Sequence, residues 1–279
     1  MVRELADYLD WLAGHGVHPV PTEPPLRDPD HDRPLVRGTS PTRTIVLDGA
    51  DPLVEHLDPA AGLSSDHATT SVARELLRRP HVRPDRPFWE PGCGTGVLSV
   101  LGARLGAGEV IAADLDGRAV ALARKTAAAA GAAVMVRQGS LLDPFPEGPS
   151  AALIVANLPH KPAGADGALP LSQGGGPEGD AVHAAFVGQA AARLGPGGSV
   201  LFFLHSLPHP RLLAAYGSAG FSLRLRSWKR RFLQEGEFAG RLPDFLRRAA
   251  EGRSWMGEEN GRRYLLAGVW EASAGDVAP

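Results

Sequence analysis

Residues Trp89-Glu-Pro-Gly-Cys-Gly-Thr-Gly96 place three glycines at alternate positions between an apolar pair, Phe88-Trp89, and a helical stretch that begins at Val97. A strand that turns this sharply into a helix needs residues without a Cβ, and the turn brings backbone amides close to a ligand. Asp114 ends the next apolar run, roughly 20 residues past the glycines, where a carboxylate accepts hydrogen bonds from both ribose hydroxyls. Together these features demand a strand, a glycine turn, a helix and a second parallel strand, in that order.

The rest of the chain agrees with this demand. Strands are predicted at Phe88-Trp89, Glu109–Ala113, Ala133–Val136, Ala151–Val155 and Ser199–Leu204, with helices at Val97–Leu105, Gly117–Ala130 and Asp180–Leu194 between them. Such alternation builds βαβ units on a parallel sheet. Leu194-Gly-Pro-Gly-Gly198 reads as the close of the last helix, because glycine accepts a left-handed helix end and proline cannot continue the helix. Phe221–Trp228 and Tyr264–Trp270 supply two final strands. Ahead of this core, Leu5, Tyr8, Leu9 and Leu12 recur at helical spacing, and Val20–Pro41 reads as an irregular connector. Thr44–Leu47 followed by Asp48-Gly49 reads as a strand entering a turn, and Ser64-Ser-Asp-His67 as a helix start before Val72, Leu76 and Leu77. The expected organisation is a helix and small substrate-side subdomain over 1–63, then a catalytic domain over 64–279 with a lid-like insertion at 234–262. No internal repeat is visible.

Composition narrows the function classes. A net charge of -2, from 29 basic and 31 acidic residues, gives no global attraction to nucleic acid or a membrane surface. Cys93 is the single cysteine, so no intrachain disulfide forms, and within the glycine turn it reads as a small packing residue. The apolar runs are far shorter than a bilayer span. These features make the cytoplasm the default compartment and give no membrane segment, a monomer or homodimer is expected, and no metal-ligating cluster is apparent.

The glycine turn and its acid resemble those of the class I S-adenosylmethionine-dependent methyltransferases, over roughly residues 64 to 205. Glu90-x-Gly-x-Gly-x-Gly96 is similar to the first motif of that family, Asp114 to its ribose-binding acid, and Gly117–Lys125 to its usual second helix. The resemblance implies a Rossmann-like α/β fold with a seven-stranded, mainly parallel sheet flanked by helices. It implies S-adenosyl-L-methionine as cofactor, bound by Glu90, Gly92, Gly94, Gly96, Asp114, Leu115, Ser140, Leu141 and Asn157. In that family the segment Gln138–Asp143 frames the adenine, although this chain has Ser140 where an acid is usual. An NAD enzyme is the competing reading of glycines plus acid, and the motif described next disfavours it.

Ala156-Asn-Leu-Pro-His-Lys-Pro162 follows the apolar run Leu153–Val155, at a strand end where open α/β sheets place ligands. It resembles the Asn-Pro-Pro-Tyr signature of methyltransferases that act on planar or amino nitrogens, including the release-factor glutamine methyltransferases. In those relatives the Asn side chain and a following backbone carbonyl hold the substrate NH groups. Leu171–Asp180 and Leu194–Gly198 are similar to the glycine-rich stretches that follow it. The resemblance assigns Asn157 and His160 to catalysis, and Asn157, Leu158, Pro159, His160 and Lys161 to substrate binding. Leu158 and His160 depart from the family's Pro and Tyr. A histidine there stacks on a planar substrate, removes a proton near neutral pH, or serves the structure alone. Asn157 suits the chemistry on its own terms: its amide oxygen accepts the attacking N–H while the nitrogen lone pair points at the methyl group.

The expected reaction is N-methylation of an amine, amide or guanidine, with a small metabolite favoured as acceptor over a protein and nucleic acid not expected. Alternatives are glutamine or other protein side-chain N-methylation, cyclisation of the cofactor on the same fold, and a non-catalytic binding module. Arg224, Arg226, Lys229, Arg230 and Arg231, with Trp228 and Phe232 interleaved, read as an RNA or acidic-substrate surface or as the solvated face of a strand. Glu235, Glu237, Glu258 and Glu259 read as contacts for a cationic substrate or as solvated surface.

Overall fold

Helical spacing buries one face of the first element: Leu5, Tyr8 and Leu12 are the buried residues of α1 (Arg3–Gly14). After the two-residue β1 (Leu26–Arg27) comes an antiparallel pair, β2 (Thr42–Ile45) and β3 (Leu53–His56). Asp66 then caps α2 (His67–Arg78), its carboxylate accepting from the amides of Ala68 at 2.9 Å and Thr69 at 3.1 Å. The order continues with β4 (Phe88–Pro91), α3 (Val97–Arg104), β5 (Val110–Asp114), α4 (Gly117–Ala129), β6 (Met135–Gln138) and β7 (Ala151–Ala156). It ends with α5 (Ala181–Arg193), β8 (Leu194–His205), α6 (Arg211–Ser218), β9 (Phe221–Phe232), α7 (Leu242–Ala250), β10 (Gly257–Glu259) and β11 (Arg262–Ala274). This computed structural model describes residues 3–20, 25–28, 40–47, 50–163, 169–233 and 241–274. The predicted Asp48-Gly49 turn, much of the Val20–Pro41 connector and residues 234–240 of the insertion lie outside them.

The described residues form two compact units. The first, within Arg33–Asn157 and Gln189–Phe203, holds five parallel strands in the order β8-β7-β4-β5-β6. All six residues of β7 are buried, the continuous apolar run of a strand covered on both faces. Trp89, Ile111, Ile154 and Val200–Phe203 fill the core. Because β4, β5 and β7 run parallel, their carboxyl ends share one edge: β4 feeds the glycine turn, β5 ends in Asp114, and β7 delivers Asn157.

The second unit lies within Met1–Asp32, Leu158–Gly188 and Leu204–Gly275. Its long β9 and β11 pair antiparallel, with β1 on β9 and β10 on β11. Tyr8 of α1 meets Trp255 edge-on at 5.5 Å, and α7 contributes Phe245 to a cluster with Leu207 and Leu265. With β4 to β9 and β11, the seven expected strands are all present.

Two expectations are corrected, and one of two readings left open loses support. The first 63 residues do not stand apart: α1 belongs to the second unit, while the β2–β3 pair belongs to the first, where the His56 amide donates to the Thr126 hydroxyl of α4 at 3.0 Å. Leu194–Gly198 is not a loop closing a helix, since β8 starts at Leu194 and absorbs the glycines in a bulge: Ala151 faces Leu194 and Leu153 faces Ser199. Two of the five basic residues of β9, Arg226 and Arg230, are ion-paired, and Lys229 is buried, which weighs against an RNA surface. Arg226 bonds Glu271 at 2.7 Å, and Arg230 meets Glu259 at 2.7 Å and Glu4 at 3.4 Å. Arg224 donates to the Ser273 hydroxyl and Lys229 is buried. Glu258 likewise faces Arg263; Glu235 and Glu237 lie outside the described residues. Among the described residues no helix is long and apolar enough to cross a membrane, and no cluster of metal-ligating side chains occurs.

Candidate functional site

The glycine turn holds Gly92, Gly94 and Gly96 at φ of +68°, +51° and +79°. At Gly96 a Cβ would sit 2.9 Å from the Ala123 Cβ of α4, so its side-chain-free backbone lets two helices close behind the turn. Gly94 faces open space, and its N–H donates to Asp114 Oδ2 at 2.9 Å. Asp114 Oδ1 accepts from the Asp116 amide, also at 2.9 Å. Each carboxylate oxygen has two lone-pair directions, and three backbone amides, of Gly94, Asp116 and Leu115, use part of that capacity, leaving room for a ligand hydroxyl. Burial, only partly offset by these amide bonds, raises the Asp114 carboxyl above its ordinary range.

Glu90 lies beneath the turn, buried, and accepts from the Ser99 hydroxyl of α3. Burial pushes its carboxyl up to about 8, so it is mainly protonated at neutral pH in this structure. Cys93 packs with Ala112, Val120, Ala123 and Val136, and burial raises its thiol far above the reactive range. A packing role, not a nucleophilic one, follows.

A second buried acid supports the turn from outside the glycine motif. Glu55 of β3 is fully buried and accepts from the Ser65 amide and hydroxyl, both at 2.7 Å, from the Thr95 hydroxyl and from Arg43. Arg43 also donates to the Ser65 carbonyl at 2.7 Å. The β2–β3 pair is thereby tied to the residue between Gly94 and Gly96. The signal existed in the sequence, because Glu55 occupies an inward position of an alternating strand, but its partner Thr95 is 40 residues away.

The remaining cofactor candidates follow the ends of β5 and β6. Leu115 is 52% exposed, a large apolar side chain beside the ribose-type acid. Ser140 is exposed, and Leu141 is held at φ +46°, a left-handed conformation uncommon for a side-chain-bearing residue. These residues fit S-adenosylmethionine: an acid with lone pairs to spare, open space over Gly94 and an uncovered apolar surface at Leu115.

Asn157 leaves β7 half-buried, and its Nδ2 donates to the Thr69 hydroxyl of α2 at 3.3 Å. That hydroxyl lies 3.5 Å from the Asp66 carboxylate, which can only accept. The amide nitrogen thus faces Thr69, and Oδ1 is the atom left to accept from a substrate N–H. His160 differs: it is buried, Nδ1 lies 2.8 Å from the Leu158 carbonyl, and Nε2 lies 3.0 Å from His205 Nδ1 and 3.2 Å from the His205 amide. With both nitrogens engaged, the ring offers neither a base nor a stacking face in this structure, in keeping with the structural one of its three readings. Lys161 is half-buried and its Nζ donates to Gln173 Oε1 at 3.2 Å. Pro159 is half-buried and Leu158 buried.

The glycine-rich stretch after the motif has a concrete task. A Cβ on Gly175 would lie 2.7 Å from His160 Cα, and one on Gly179 2.6 Å from the His160 carbonyl. The Lys161 amide donates to the Gln173 carbonyl at 3.0 Å, and the Lys161 carbonyl accepts from the Gly175 amide at 2.9 Å. Sequence reasoning passed over Thr69, Ser99, His183 and His205 because each meets its partner only through the fold.

Comparison with known proteins agrees with this geometry. Residues 42–161 match the family model described as ribosomal protein L11 methyltransferase (PrmA). A ribosomal protein L11 methyltransferase of Pelotomaculum thermopropionicum is 40% identical over 152 residues, covering 53% of this chain and 42% of the relative. A release factor glutamine methyltransferase of Deinococcus radiodurans is 36% identical over 180 residues, covering 56% of this chain and 64% of the relative. The chain thus spans less than two thirds of either relative. In fold it is similar to the Thermus thermophilus 16S rRNA N2 G1207 methyltransferase (RsmC), with 22% identity, a TM-score of 0.52, and coverage of 83% of this chain and 50% of that one. Both curated relatives are named for protein substrates, which overturns the expectation of a small-molecule acceptor. The matched stretch, residues 42–161, contains the glycine turn, Asp114 and the Asn157–His160 motif, so over the residues of this site the chain is similar to methyltransferases.

Proposed function

We propose that the chain transfers a methyl group from S-adenosylmethionine to a nitrogen of a protein substrate, with Asn157 holding the acceptor. One observation carries this reading: β4 and β7 are hydrogen-bonded parallel neighbours, so the glycine turn and Asn157 emerge at the same sheet edge. The names of the two curated relatives support a protein acceptor.

The cofactor, when bound, supplies an activated methyl on a sulfonium for in-line displacement. Asp114 holds the ribose through its remaining acceptor capacity, and the N–H groups of the glycine turn line the amino-acid side of the pocket. Asn157 Oδ1 accepts one N–H of the acceptor and so directs the nitrogen lone pair away from itself, toward the methyl carbon. Alignment of this kind is worth several kcal/mol of barrier, about 7 at the low end. Asn157 cannot remove a proton, and both His160 nitrogens are engaged, so an acceptor that attacks as a neutral amine suits these residues better than one that must first be deprotonated.

The test uses purified chain, methyl-labelled S-adenosylmethionine, and ribosomal protein L11 and a release factor as probes. Label in either protein, lost with Asn157→Ala, supports the reading. Cofactor binding with transfer to neither probe overturns the protein-substrate assignment.

A further inference from the structure

Three histidines from separate parts of the second unit meet around the transfer motif: His160, His183 at the start of α5 and His205 at the end of β8, all buried. Their hydrogen bonds fix where the protons are. The Leu158 carbonyl can only accept, so His160 Nδ1, at 2.8 Å, carries a hydrogen. The His205 amide can only donate, so His160 Nε2, at 3.2 Å, carries the lone pair. His205 Nδ1, 3.0 Å from that same nitrogen, must then donate as well. His160 is therefore held as the neutral Nδ1–H tautomer by two backbone groups whose roles cannot reverse, with the His205 ring as a second donor. His183 packs edge-on against His160 at 6.2 Å and bonds the Tyr216 hydroxyl of α6 at 2.9 Å, closing the other side of the ring.

We propose that His205 and His160 act together as positioning residues that pin the Leu158 carbonyl and so set the backbone of the Asn157–His160 motif, with no proton exchanged between either imidazole and the substrate. Glycine at 175 and 179 agrees with this, since a rigid motif backbone needs close neighbours and both approach His160 within contact distance. The proposal rests on the functional reading above only for its effect on turnover.

Two measurements test it on the full chain. Long-range proton–nitrogen spectra of the cofactor-loaded protein are expected to show His160 neutral at pH 7 with hydrogen on Nδ1, and His205→Leu is expected to move the His160 Nε2 resonance. A His160 ring that is cationic or protonated on Nε2 overturns the assignment without any substrate. In the transfer assay, His160→Asn retains a donor near the Nδ1 position and is expected to keep turnover within a few-fold of the parent. His160→Phe, which keeps a ring but no donor, is expected to lose about 10-fold or more in kcat with cofactor affinity unchanged. An Asn variant as inactive as the Phe variant identifies the ring itself as the working group, and two fully active variants remove the positioning role; either result overturns the proposal. If Asn157→Ala leaves transfer intact, or the parent labels neither probe, it is the functional reading that falls, while the tautomer still decides the geometry.

Discussion

Two polar regions of this protein are built on opposite plans. Around the glycine turn, Asp114 keeps lone pairs in reserve, Gly94 faces open space and Leu115 is uncovered. Around His160 the described polar atoms answer one another: imidazole to carbonyl, amide to imidazole, imidazole to phenol. The first region is prepared for a ligand and the second for rigidity. The boundary between them falls inside one tetrapeptide, where Asn157 retains a free acceptor and His160 retains none.

The largest expected effect strikes the rigid region. Gly175→Val places a branched side chain where even a Cβ lies 2.6 Å from one backbone atom and 2.7 Å from another, and should lower stability by about 3 kcal/mol or more, seen as an earlier denaturant midpoint. A neutral result would mean the motif is not tightly packed and would break the contrast. Next, Asn157→Ala should reduce kcat by about 100-fold with cofactor affinity nearly unchanged. Equal losses in both would place Asn157 with the cofactor instead. Asp114→Ala removes a charge-assisted contact worth about 2 kcal/mol, so calorimetry should show cofactor binding weakened by roughly 30-fold.

Acidity separates the regions in a different way. Burial drives His183 down to about 3. The unfolded chain, with an ordinary value of 6.5, then takes up the proton first, so this stability is intact above 6.5 and drains as the pH falls toward 3. Glu90 runs in the other direction. Its protonated form is favoured inside, so its stability is full below 4.5 and drains as the pH rises through about 8. Each slope is about 1.4 kcal/mol per pH unit for a group titrating alone. Glu90→Gln should flatten the alkaline side of a stability–pH curve and leave the acid side alone, whereas His183→Gln should flatten the acid side. If both variants act on the same side, the distinction between the regions is lost. The smallest effect is expected for Leu115→Ser: a loss of about two- to five-fold in cofactor affinity, consistent with partial coverage of one apolar side chain.

Much of the ligand-ready region was legible from sequence. Its glycines, Glu90 and Asp114 are spaced by the local geometry of strand, turn and helix, and the apolar runs of β4, β5, β7 and β8 mark a covered parallel sheet. The errors came where local chemistry had two solutions. Gly-Pro-Gly-Gly suits both a helix stop and a strand bulge, and only the pairing of Ala151 with Leu194 decides between them. The arginines of β9 left a binding surface and a solvated strand face both open, and the partner of Arg226, Glu271, is 45 residues away. His160 was visible but its role was not, because the atoms that define it belong to His205.

The second unit is assembled from three separated stretches of chain, and α1 at one end packs on Trp255 near the other. During synthesis, the helix bearing Leu5, Tyr8 and Leu12 emerges long before the aromatic residue that covers it exists. Contacts of such sequence separation form late, because a long loop must close before they return any energy. The nascent chain therefore carries Tyr8 without this aromatic partner until Trp255 has been added, an opening for chaperones.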